Sequence, residues 1–467
     1  MARIFGTDGV RGLANRDVTA EIALDLAVAA AHVLGQRGVF SGHRPKAVVG
    51  RDPRASGEFL SAAVCAGLAS AGVDVIDVGV VPTPAVAYLT HSMDVDLGVM
   101  LSASHNPMED NGIKFFDRSG YKLADEVEDQ IEARLRADWD RPTGADVGRM
   151  TQDYTAVWRY VDFLVSTVPY RLDGLKVVVD SANGAASEVG PEALRRAGAE
   201  VVVIGSYPDG ININSGYGAT HPRRMAAATV GHWAHAGVSF DGDADRCIAA
   251  DEDGNIVDGD QIMGILAQAH AERGTLTNGT LVTTVMSNLG LKLAMQKSGI
   301  RTVETAVGDR YVLEEMRRSG YSVGGEQSGH VLLTDYATTG DGTLTALHLL
   351  SRLAETKKTM SELASAIGRL PQSLVNVKGV DKSRASSDSD VLAAVAEAEV
   401  LLGETGRVLL RPSGTESLVR VMVEAATQEQ ADTVAESLAD VVRVRLALCP
   451  SPVRSSSEPL SPQEPVT

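Results

Sequence analysis

The chain has 467 residues, which is too long for one hydrophobic core and predicts about three or four domains. Its 44% hydrophobic and 22% charged residues are typical of a globular protein. The formal net charge of -18 argues against a general binder of nucleic acid or anionic membranes, because phosphate backbones require a basic face. A small phosphorylated substrate remains compatible, since it needs only a local basic pocket.

Cysteine spacing and the apolar segments indicate the cellular compartment. Cys65, Cys247 and Cys449 lie far apart, so the sequence indicates neither a disulfide framework nor a zinc site. The first eight residues lack an apolar signal core, and no segment approaches the ~18 apolar residues that cross a membrane. These features predict a cytoplasmic protein with no membrane or nucleic-acid partner.

A strand, a turn, a helix closed by glycine and a second strand occur in this order three times. The copies begin at Ala47, Val177 and Leu281, and each is typical of a βαβ-like unit. Three copies about a hundred residues apart predict three related α/β domains. After Pro371 the pattern changes to that of a small α+β domain. The predicted boundaries are 1–153, 154–256, 257–370 and 371–447, with a disordered tail at 448–467.

Two loops of the first predicted domain carry residues suited to phosphate chemistry. Residues 6–12 place three glycines around Arg11, which favours an anion contact, although an ordinary turn fits the same residues. Residues 102–107, Ser-Ala-Ser-His-Asn-Pro, follow an apolar run typical of a buried strand. A hydroxyl beside His105 and near Lys114 predicts a nucleophile or phosphoryl carrier. The alternative is a turn whose side chains only bond the backbone.

The loop at 241–246, Asp-Gly-Asp-Ala-Asp-Arg, follows a predicted strand in the second domain. Its alternate carboxylates, Asp241, Asp243 and Asp245, can converge on one hard divalent cation. An EF-hand is excluded, because Arg246 replaces its obligatory glycine and the flanks are predicted strands. Three carboxylates leave a coordination position open, which suits magnesium shared with a phosphate oxygen, and Arg246 would then contact phosphate or carboxylate. A solvated acidic turn is the alternative.

Two later loops suit the binding of a sugar phosphate. Residues 324–330, Gly-Gly-Glu-Gln-Ser-Gly-His, offer acceptors at alternate positions for vicinal sugar hydroxyls, although a polar loop between two helices fits the same residues. Residues 411–417 combine a guanidinium, hydroxyls and backbone N–H groups into a nest for a phosphate dianion, or else form a decorated hairpin turn. The residues of this nest are Arg411, Ser413, Gly414 and Thr415, with Arg420 just after.

The four loops, one per domain and in this order, make the chain similar to the α-D-phosphohexomutase superfamily up to about Leu446. This resemblance implies three α/β domains with mixed sheets sandwiched by helices and a smaller C-terminal α+β domain around a central active-site cleft. Segments 5–12, 307–312 and 325–330 resemble those of the bacterial phosphoglucosamine mutases. Gln327 is the most informative residue, because relatives acting on glucose or mannose phosphates usually carry another residue there.

The resemblance also implies an isomerase that interconverts glucosamine 6-phosphate and glucosamine 1-phosphate. A phosphoserine and a sugar 1,6-bisphosphate, which serves as intermediate and activator, would carry the reaction, and the product would feed UDP-N-acetylglucosamine and cell-wall synthesis. By match to the second serine of the family loop, Ser104 would carry the phosphoryl group. One Mg²⁺ per active site would be held by Ser104, Asp241, Asp243 and Asp245.

The remaining site residues follow from the same match. Arg11, Lys114 and Arg246 would stabilise the transferring group, and Lys114 or His330 would serve as general acid or base. The sugar would be bound by Glu326, Gln327 and Ser328. The phosphate that does not react would be bound by Arg411, Ser413, Gly414, Thr415 and Arg420.

Two other functions stay open. One is a phosphoglucomutase or phosphomannomutase with the same machinery. The other is a catalytically silent sugar-phosphate-binding protein, which should have lost the serine, an aspartate or the arginine, all present here. Bacterial relatives are often dimers, so a homodimer is possible.

Overall fold

The computed structural model describes residues 3–6, 8–412 and 418–448. The chain divides into two compact units, Met1–Gly368 and Arg369–Thr467. The first unit contains three mixed sheets and the second a small antiparallel sheet. Within the described ranges, no helix is both long and apolar enough to cross a membrane.

The first sheet of the first unit has seven strands. They are β1 Phe5–Gly6, β2 Gly9–Leu13, β3 Lys46–Arg51, β4 Asp74–Val80, β5 Leu97–Leu101, β6 Asp110–Asp117 and β7 Met150–Gln152, in the order β1-β2-β6-β5-β3-β4-β7. The helices of this region are α1 Ala20–Gln36, α2 Ala55–Ser70, α3 Thr83–Ser92 and α4 Asp125–Ala133. Strand β5 is buried along its whole length, as its apolar run predicts, and it ends at the serine turn.

The second sheet has five strands. They are β8 Lys176–Asp180, β9 Glu200–Ile204, β10 Ala236–Phe240, β11 Cys247–Ala250 and β12 Ile256–Val257, in the order β12-β11-β10-β8-β9. The helices are α5 Val157–Ser166, α6 Val189–Arg196 and α7 Arg223–Gly231. Antiparallel β10 and β11 flank the acidic loop, which confirms the strands predicted around it.

The third sheet has four strands. They are β13 Thr280–Thr284, β14 Arg301–Thr305, β15 Val323–Gly325 and β16 Val331–Leu333, in the order β14-β13-β15-β16. The helices are α8 Gly259–Glu272, α9 Leu289–Lys297, α10 Asp309–Ser319, α11 Gly342–Thr356 and α12 Met360–Ser365. The glycine-flanked turn joins antiparallel β15 and β16, so the alternative of a loop between two helices is wrong. Buried apolar residues on both sides of the turn favour strand pairing.

The second unit has the α+β topology predicted for the last domain. Its strands and helices are β17 Gln372–Lys378, α13 Ser389–Leu402, β18 Arg407–Pro412, β19 Leu418–Glu424 and α14 Gln428–Arg445, with the sheet order β17-β19-β18. Short 3₁₀ helices of the two units lie at Gly144–Asp146, Thr277–Gly279, Lys382–Arg384 and Gly403–Thr405. The predicted tail lies outside the described residues from position 449 onward.

One buried apolar cluster extends through all three sheets of the first unit and fixes them relative to one another. Tyr160 of α5 illustrates the contact. Its hydroxyl donates a 2.7 Å hydrogen bond to Asp341, the residue that caps α11. Because buried polar groups are costly unless paired, this bond ties the second region to the third.

His348 of α11 makes the stability of the first unit depend on pH. Its buried ring lies 4.9 Å from the Tyr336 ring, and its Nε2 is 3.1 Å from Thr167 Oγ1. Burial, with smaller contributions from His270 and Arg273, lowers the pKa of His348 to about 3. An unfolded histidine titrates near pH 6.5, so below that pH the unfolded state takes up a proton that the folded state does not, at roughly 1.4 kcal/mol per pH unit.

We therefore expect the contribution of the buried, neutral His348 to the free energy of unfolding to be fully present above about pH 6.5. It should be lost progressively as the pH falls toward 3. Urea unfolding between pH 7 and pH 5 should show a smaller pH dependence of the unfolding free energy in His348→Gln than in wild type. The exposed His232→Gln variant is the control and should keep the wild-type slope. An unchanged slope in His348→Gln would contradict the assignment.

Candidate active site

Ser104 lies in the turn after β5 and is buried, with a left-handed backbone at φ 51°. Its Oγ donates a 2.6 Å hydrogen bond to Asp241 Oδ2 and lies 3.3 Å from His105 Nδ1. A non-glycine residue in this conformation costs on the order of 1–3 kcal/mol, so the surroundings must hold it there. The turn thus fixes one hydroxyl against the acidic loop.

Arg54, which was not predicted, holds the serine turn in place. Its fully buried guanidinium lies 2.8 Å from Asp52 and donates to the Ser104 carbonyl at 3.0 Å. The same guanidinium also donates to the carbonyls of Asn106, Pro107 and Asp110. Strand β3 ends just before Arg54 and is parallel to β5, so both carboxyl ends meet at one edge of the sheet. The signal for Arg54 in the sequence is its place in the turn that follows the predicted strand beginning at Ala47.

The second domain clamps the serine turn from the other side. Asn214 Nδ2 donates to the carbonyls of Ser104 at 2.9 Å and Asn106 at 3.1 Å. Gly242 of the acidic loop lies so close that a Cβ there would be 2.6 Å from the Ser104 carbonyl oxygen. Glycine is therefore required at this position for the two loops to touch.

The three aspartates of the acidic loop converge as predicted. One oxygen from each of Asp241, Asp243 and Asp245 lies within 4.8 Å of the others, and all three residues are buried. Burial, reinforced by the other two carboxylates, raises the pKa of Asp241 well above its usual range. In the part of the chain that the structure describes, Asp243 Oδ1 and Asp245 Oδ1 have no hydrogen-bond partner. Buried, unpartnered carboxylate oxygens are costly alone and fit a hard divalent cation.

Lys114 of β6 is buried among the same carboxylates. Its Nζ lies 2.9 Å from Asp243 Oδ2 and 3.0 Å from Asp8 Oδ2. Burial lowers the pKa of Lys114, but Asp243 and Asp8 outweigh this and raise it above its usual value. Lys114 therefore stays charged. Thr83, at the start of α3, also donates to Asp243 Oδ2 at 2.6 Å and was not predicted.

Two arginines border the acidic loop. Arg11 forms an ion pair with Asp8, and the backbone N–H of Arg246 donates to Asp241 Oδ1 at 3.2 Å. Among the described residues, the Nε atoms of Arg11 and Arg246 are buried without a hydrogen-bond partner. Buried guanidinium donors without a hydrogen bond fit the oxygens of a phosphoryl group.

The turn between β15 and β16 places His330 beside the acidic loop. His330 Nδ1 lies 3.6 Å from Asp245 Oδ1. Burial lowers the pKa of His330, but Asp245 and Asp309 outweigh it and raise the pKa to about 9. Glu326 Oε1 accepts a 3.0 Å hydrogen bond from Gly308 N. The neighbouring carboxylates therefore favour the protonated form of the imidazole.

Gln327 and Ser328 of this turn differ in exposure. Ser328 is exposed, whereas Gln327 is half-buried. The backbone carbonyl of Gln327 accepts a hydrogen bond from Gly259 N at 3.1 Å. The buried Nε2 of Gln327 has no hydrogen-bond partner within the described ranges. A buried amide donor left unpaired costs free energy and fits a ligand acceptor.

In the second unit, Arg411 and Arg420 are cross-strand partners on β18 and β19, and Asn376 pairs with Arg420 from β17. Like charges directly opposite each other destabilise a sheet, so the pair fits an anion between the two guanidinium groups. The predicted residues Ser413, Gly414 and Thr415 lie outside the described residues.

Comparison with known proteins places this geometry in a family. Four segments match the phosphoglucomutase/phosphomannomutase domains: residues 2–141 match alpha/beta/alpha domain I, 158–254 domain II, 258–369 domain III and 374–441 the C-terminal domain. The chain belongs to the phosphoglucomutase/phosphomannomutase family. The predicted fold class, three α/β domains with mixed sheets and a smaller C-terminal domain, is confirmed.

Several members of this family are very similar to the chain. The phosphoglucosamine mutase of Streptomyces coelicolor is 64% identical over 451 residues, covering 96% of this chain and 100% of that protein. The phosphoglucosamine mutase of Thermobifida fusca is 62% identical over 448 residues, again with 96% and 100% coverage. A crystal structure of a phosphoglucomutase/phosphomannomutase family protein from Burkholderia thailandensis has a TM-score of 0.80 at 27% identity, covering 95% of this chain and 97% of that one.

In this family member, the first unit assembles most of the residues that the sequence singled out. Ser104, Lys114, His330 and Arg246 each lie within 4 Å of a carboxylate of the acidic loop, whereas Arg11 joins through Asp8. Four residues that hold or neutralise these groups were missed and lie in none of the loops singled out in the sequence: Asp52, Arg54, Thr83 and Asn214. Asp8 lies in segment 5–12, but no role was predicted for it.

Proposed function

We propose that the chain is a phosphoglucosamine mutase, an isomerase that interconverts glucosamine 6-phosphate and glucosamine 1-phosphate. The proposal is carried by one observation, the buried Ser104 hydroxyl bonded to Asp241 at the converged carboxylates. It is supported by 64% identity to a protein of that name over that protein's full length. The same residues are compatible with a phosphoglucomutase or phosphomannomutase, so the substrate is the part to test.

The proposed reaction transfers two phosphoryl groups in turn, one from Ser104 to the sugar and one from the sugar back to Ser104. The Oγ–P bond of phosphorylated Ser104 breaks as a P–O1 bond forms on glucosamine 6-phosphate; O1 gives up its proton to a protein base, and Ser104 Oγ takes up a proton. The 1,6-bisphosphate then presents its other end, the P–O6 bond breaks and the Oγ–P bond re-forms; Oγ gives up its proton, and O6 takes one up. Glucosamine 1-phosphate and phosphorylated Ser104 remain, so atoms and charge balance.

Three cations have roles that follow from their contacts. Lys114, held charged by Asp243 and Asp8, stabilises negative charge on the transferring group. Arg11 and Arg246 offer guanidinium donors to its oxygens. Lys114 and His330 are the candidates for general acid and base, and both lie beside carboxylates at the acidic loop.

The remaining assignments concern the sugar and its second phosphate. We assign Glu326, Gln327 and Ser328 to the sugar, with the unpaired amide of Gln327 as the group that distinguishes substrates. Arg411 and Arg420, with Ser413, Gly414 and Thr415, are assigned to the phosphate that does not react. A homodimer and a cytoplasmic location complete the proposal, and light scattering of the purified protein tests the dimer.

Asp241, Asp243 and Asp245 would hold a single Mg²⁺ together with Ser104. Bound Mg²⁺ would supply positive charge that offsets the charge on the phosphoryl group during transfer. Two carboxylate oxygens of this cluster make no hydrogen bond, and the cluster found among the described residues consists of carboxylates alone, which suits a hard cation rather than zinc.

Magnesium is expected to stabilise the folded protein as well as to support turnover. At a Mg²⁺ concentration about 100 times its Kd, binding should raise the free energy of unfolding by about 2.7 kcal/mol. Thermal melts with and without Mg²⁺ should show this shift in wild type and not in Asp245→Asn, while EDTA abolishes turnover. Exposed Asp138→Asn is the matched control and should keep the wild-type shift. Equal Mg²⁺ shifts in Asp245→Asn and wild type would contradict the site.

The substrate is tested by comparing three sugar phosphates. Wild type, primed with a trace of sugar 1,6-bisphosphate, is assayed with the 6-phosphates of glucosamine, glucose and mannose. We expect the highest kcat/KM for the amino sugar. A preference for glucose or mannose would keep the mechanism and overturn the substrate assignment. Turnover of none of the three would favour the binding-protein alternative.

A further inference from the structure

Lys122 lies between two carboxylates that belong to different domains. It follows β6, and its side chain is 13% exposed. Its Nζ donates to Asp309 Oδ2 at 2.5 Å and also forms an ion pair with Asp8. Asp8 lies between β1 and β2 beside the first sheet, whereas Asp309 is the first residue of α10 beside the third sheet. One ammonium group therefore joins the first domain to the third.

The partners of Lys122 are in turn the partners of the proposed catalytic groups. Asp8 lies 3.0 Å from Lys114 Nζ and forms an ion pair with Arg11. Asp309 Oδ2 lies 3.8 Å from His330 Nε2, a buried atom without a hydrogen-bond partner among the described residues. Lys122 contacts both carboxylates, yet it is bonded to neither Ser104 nor the acidic loop in any contact that the structure shows.

These contacts form a closed series in which acidic and basic side chains alternate. It runs Asp243, Lys114, Asp8, Lys122, Asp309, His330 and Asp245, and the loop 241–246 joins its ends. Six of its seven members lie in or next to the loops and family-like segments that the sequence singled out. Lys122 is the member that links the half of the series in the first domain to the half in the third.

We propose that Lys122 is a positioning residue for phosphoryl transfer, which rests on the function proposed above. It holds Asp8 in place for Lys114 and Arg11, and it holds Asp309 in place for His330. Without it, the partly buried carboxylates of Asp8 and Asp309 would lie near a dianionic phosphoryl group with no cation between them. Both carboxylates would then draw Lys114 and His330 away from the positions that serve the reaction.

The fold should tolerate the loss of Lys122 because a second link joins the same domains. Arg310 Nη2 donates to the Leu123 carbonyl at 2.9 Å, and the Arg310 guanidinium also pairs with Asp125. The third and first domains thus stay attached in a Lys122 variant. A change in kcat can therefore be separated from unfolding.

The experiment compares Lys122→Met, Lys122→Arg, Asp309→Asn and the double variant Lys122→Met/Asp309→Asn, with exposed Lys297→Met as control. We expect Lys122→Met to lower kcat for glucosamine 6-phosphate by about 100-fold, the effect of misplacing catalytic groups by about 1 Å. KM should change little, because Lys122 does not touch the sugar residues. Lys122→Arg should recover at least about tenfold of the loss, since a guanidinium can still bridge two carboxylates.

The double variant distinguishes positioning from general damage. Removing the Asp309 charge leaves fewer unpaired carboxylates, so Lys122→Met should cost less in the Asp309→Asn background than in wild type. Melting curves establish that each variant is still folded at the assay temperature. Lys297→Met should match wild type throughout.

Three outcomes would overturn the proposal. The first is a kcat of Lys122→Met within twofold of wild type, which leaves the proposed function standing. The second is a loss that Lys122→Arg does not recover and that is the same in the Asp309→Asn background, which indicates damage unrelated to the bridge. The third is a wild type that turns over no sugar phosphate, in which case the proposed function fails and the positioning role fails with it.

Discussion

Ser104→Ala is expected to lower kcat for the interconversion of glucosamine phosphates by at least about four orders of magnitude, as the loss of a nucleophile does in other enzymes. The reason is geometric. Ser104 Oγ lies 2.6 Å from Asp241, whereas the neighbouring Ser102 hydroxyl donates to buried Asp52 at 2.6 Å. The Ser102 hydroxyl is therefore hydrogen-bonded to the Asp52–Arg54 pair that holds the turn, and it cannot replace the missing hydroxyl.

Coupled assays of wild type, Ser104→Ala and Ser102→Ala measure this effect. Ser102→Ala should keep measurable turnover, because Ser102 carries no transferred group, although it loses the bond to the Ser104 backbone N–H. A Ser104→Ala variant that retains more than a few per cent of the wild-type kcat, with its mass confirmed, would contradict the phosphoserine assignment.

The second large effect concerns stability. Arg54→Met should lower the free energy of unfolding by about 3–5 kcal/mol, because it leaves the fully buried Asp52 carboxylate unpaired. It also removes the donor that four turn carbonyls share. Urea unfolding measures the change, and exposed Arg159→Met, expected to stay within about 0.5 kcal/mol of wild type, is the control.

A double variant separates charge from hydrogen bonding at this clamp. Asp52→Asn/Arg54→Met removes the unpaired charge, so it should lose less stability than the sum of the two single variants. A loss below about 1 kcal/mol in Arg54→Met would contradict the view that the guanidinium holds the serine turn.

Local patterns predicted the elements well where an apolar run is buried on all sides. Strands β5, β8 and β13 are such runs. Their apolar residues predict strands at 97–101, 177–179 and 281–285, each within one residue of the observed bounds. The second strand of the third βαβ-like unit is predicted from the sequence at 302–308 but ends at Thr305. Gly308, with φ 135°, precedes α10 and its N–H is held by Glu326, so a tertiary contact decides the boundary there.

The site was predictable only as a set of motifs. Spacing indicated that Asp241, Asp243 and Asp245 could converge, because they share one short loop. Arg54 and Asn214 were missed, because their role arises from contacts over 50 and 110 residues. Such contacts depend on which strand ends meet in the folded sheet, and a single sequence does not specify that adjacency.

Transfer of a labelled phosphoryl group from the protein to the sugar tests the central claim most directly. The protein is labelled by a sugar 1,6-bisphosphate carrying ³²P, freed of excess label and mixed with glucosamine 6-phosphate in a single turnover with Mg²⁺. We predict that peptide mapping places the label on Ser104 before mixing, and that the label then moves to glucosamine 1,6-bisphosphate and glucosamine 1-phosphate. Label found on another residue, or released only as inorganic phosphate, would contradict the account.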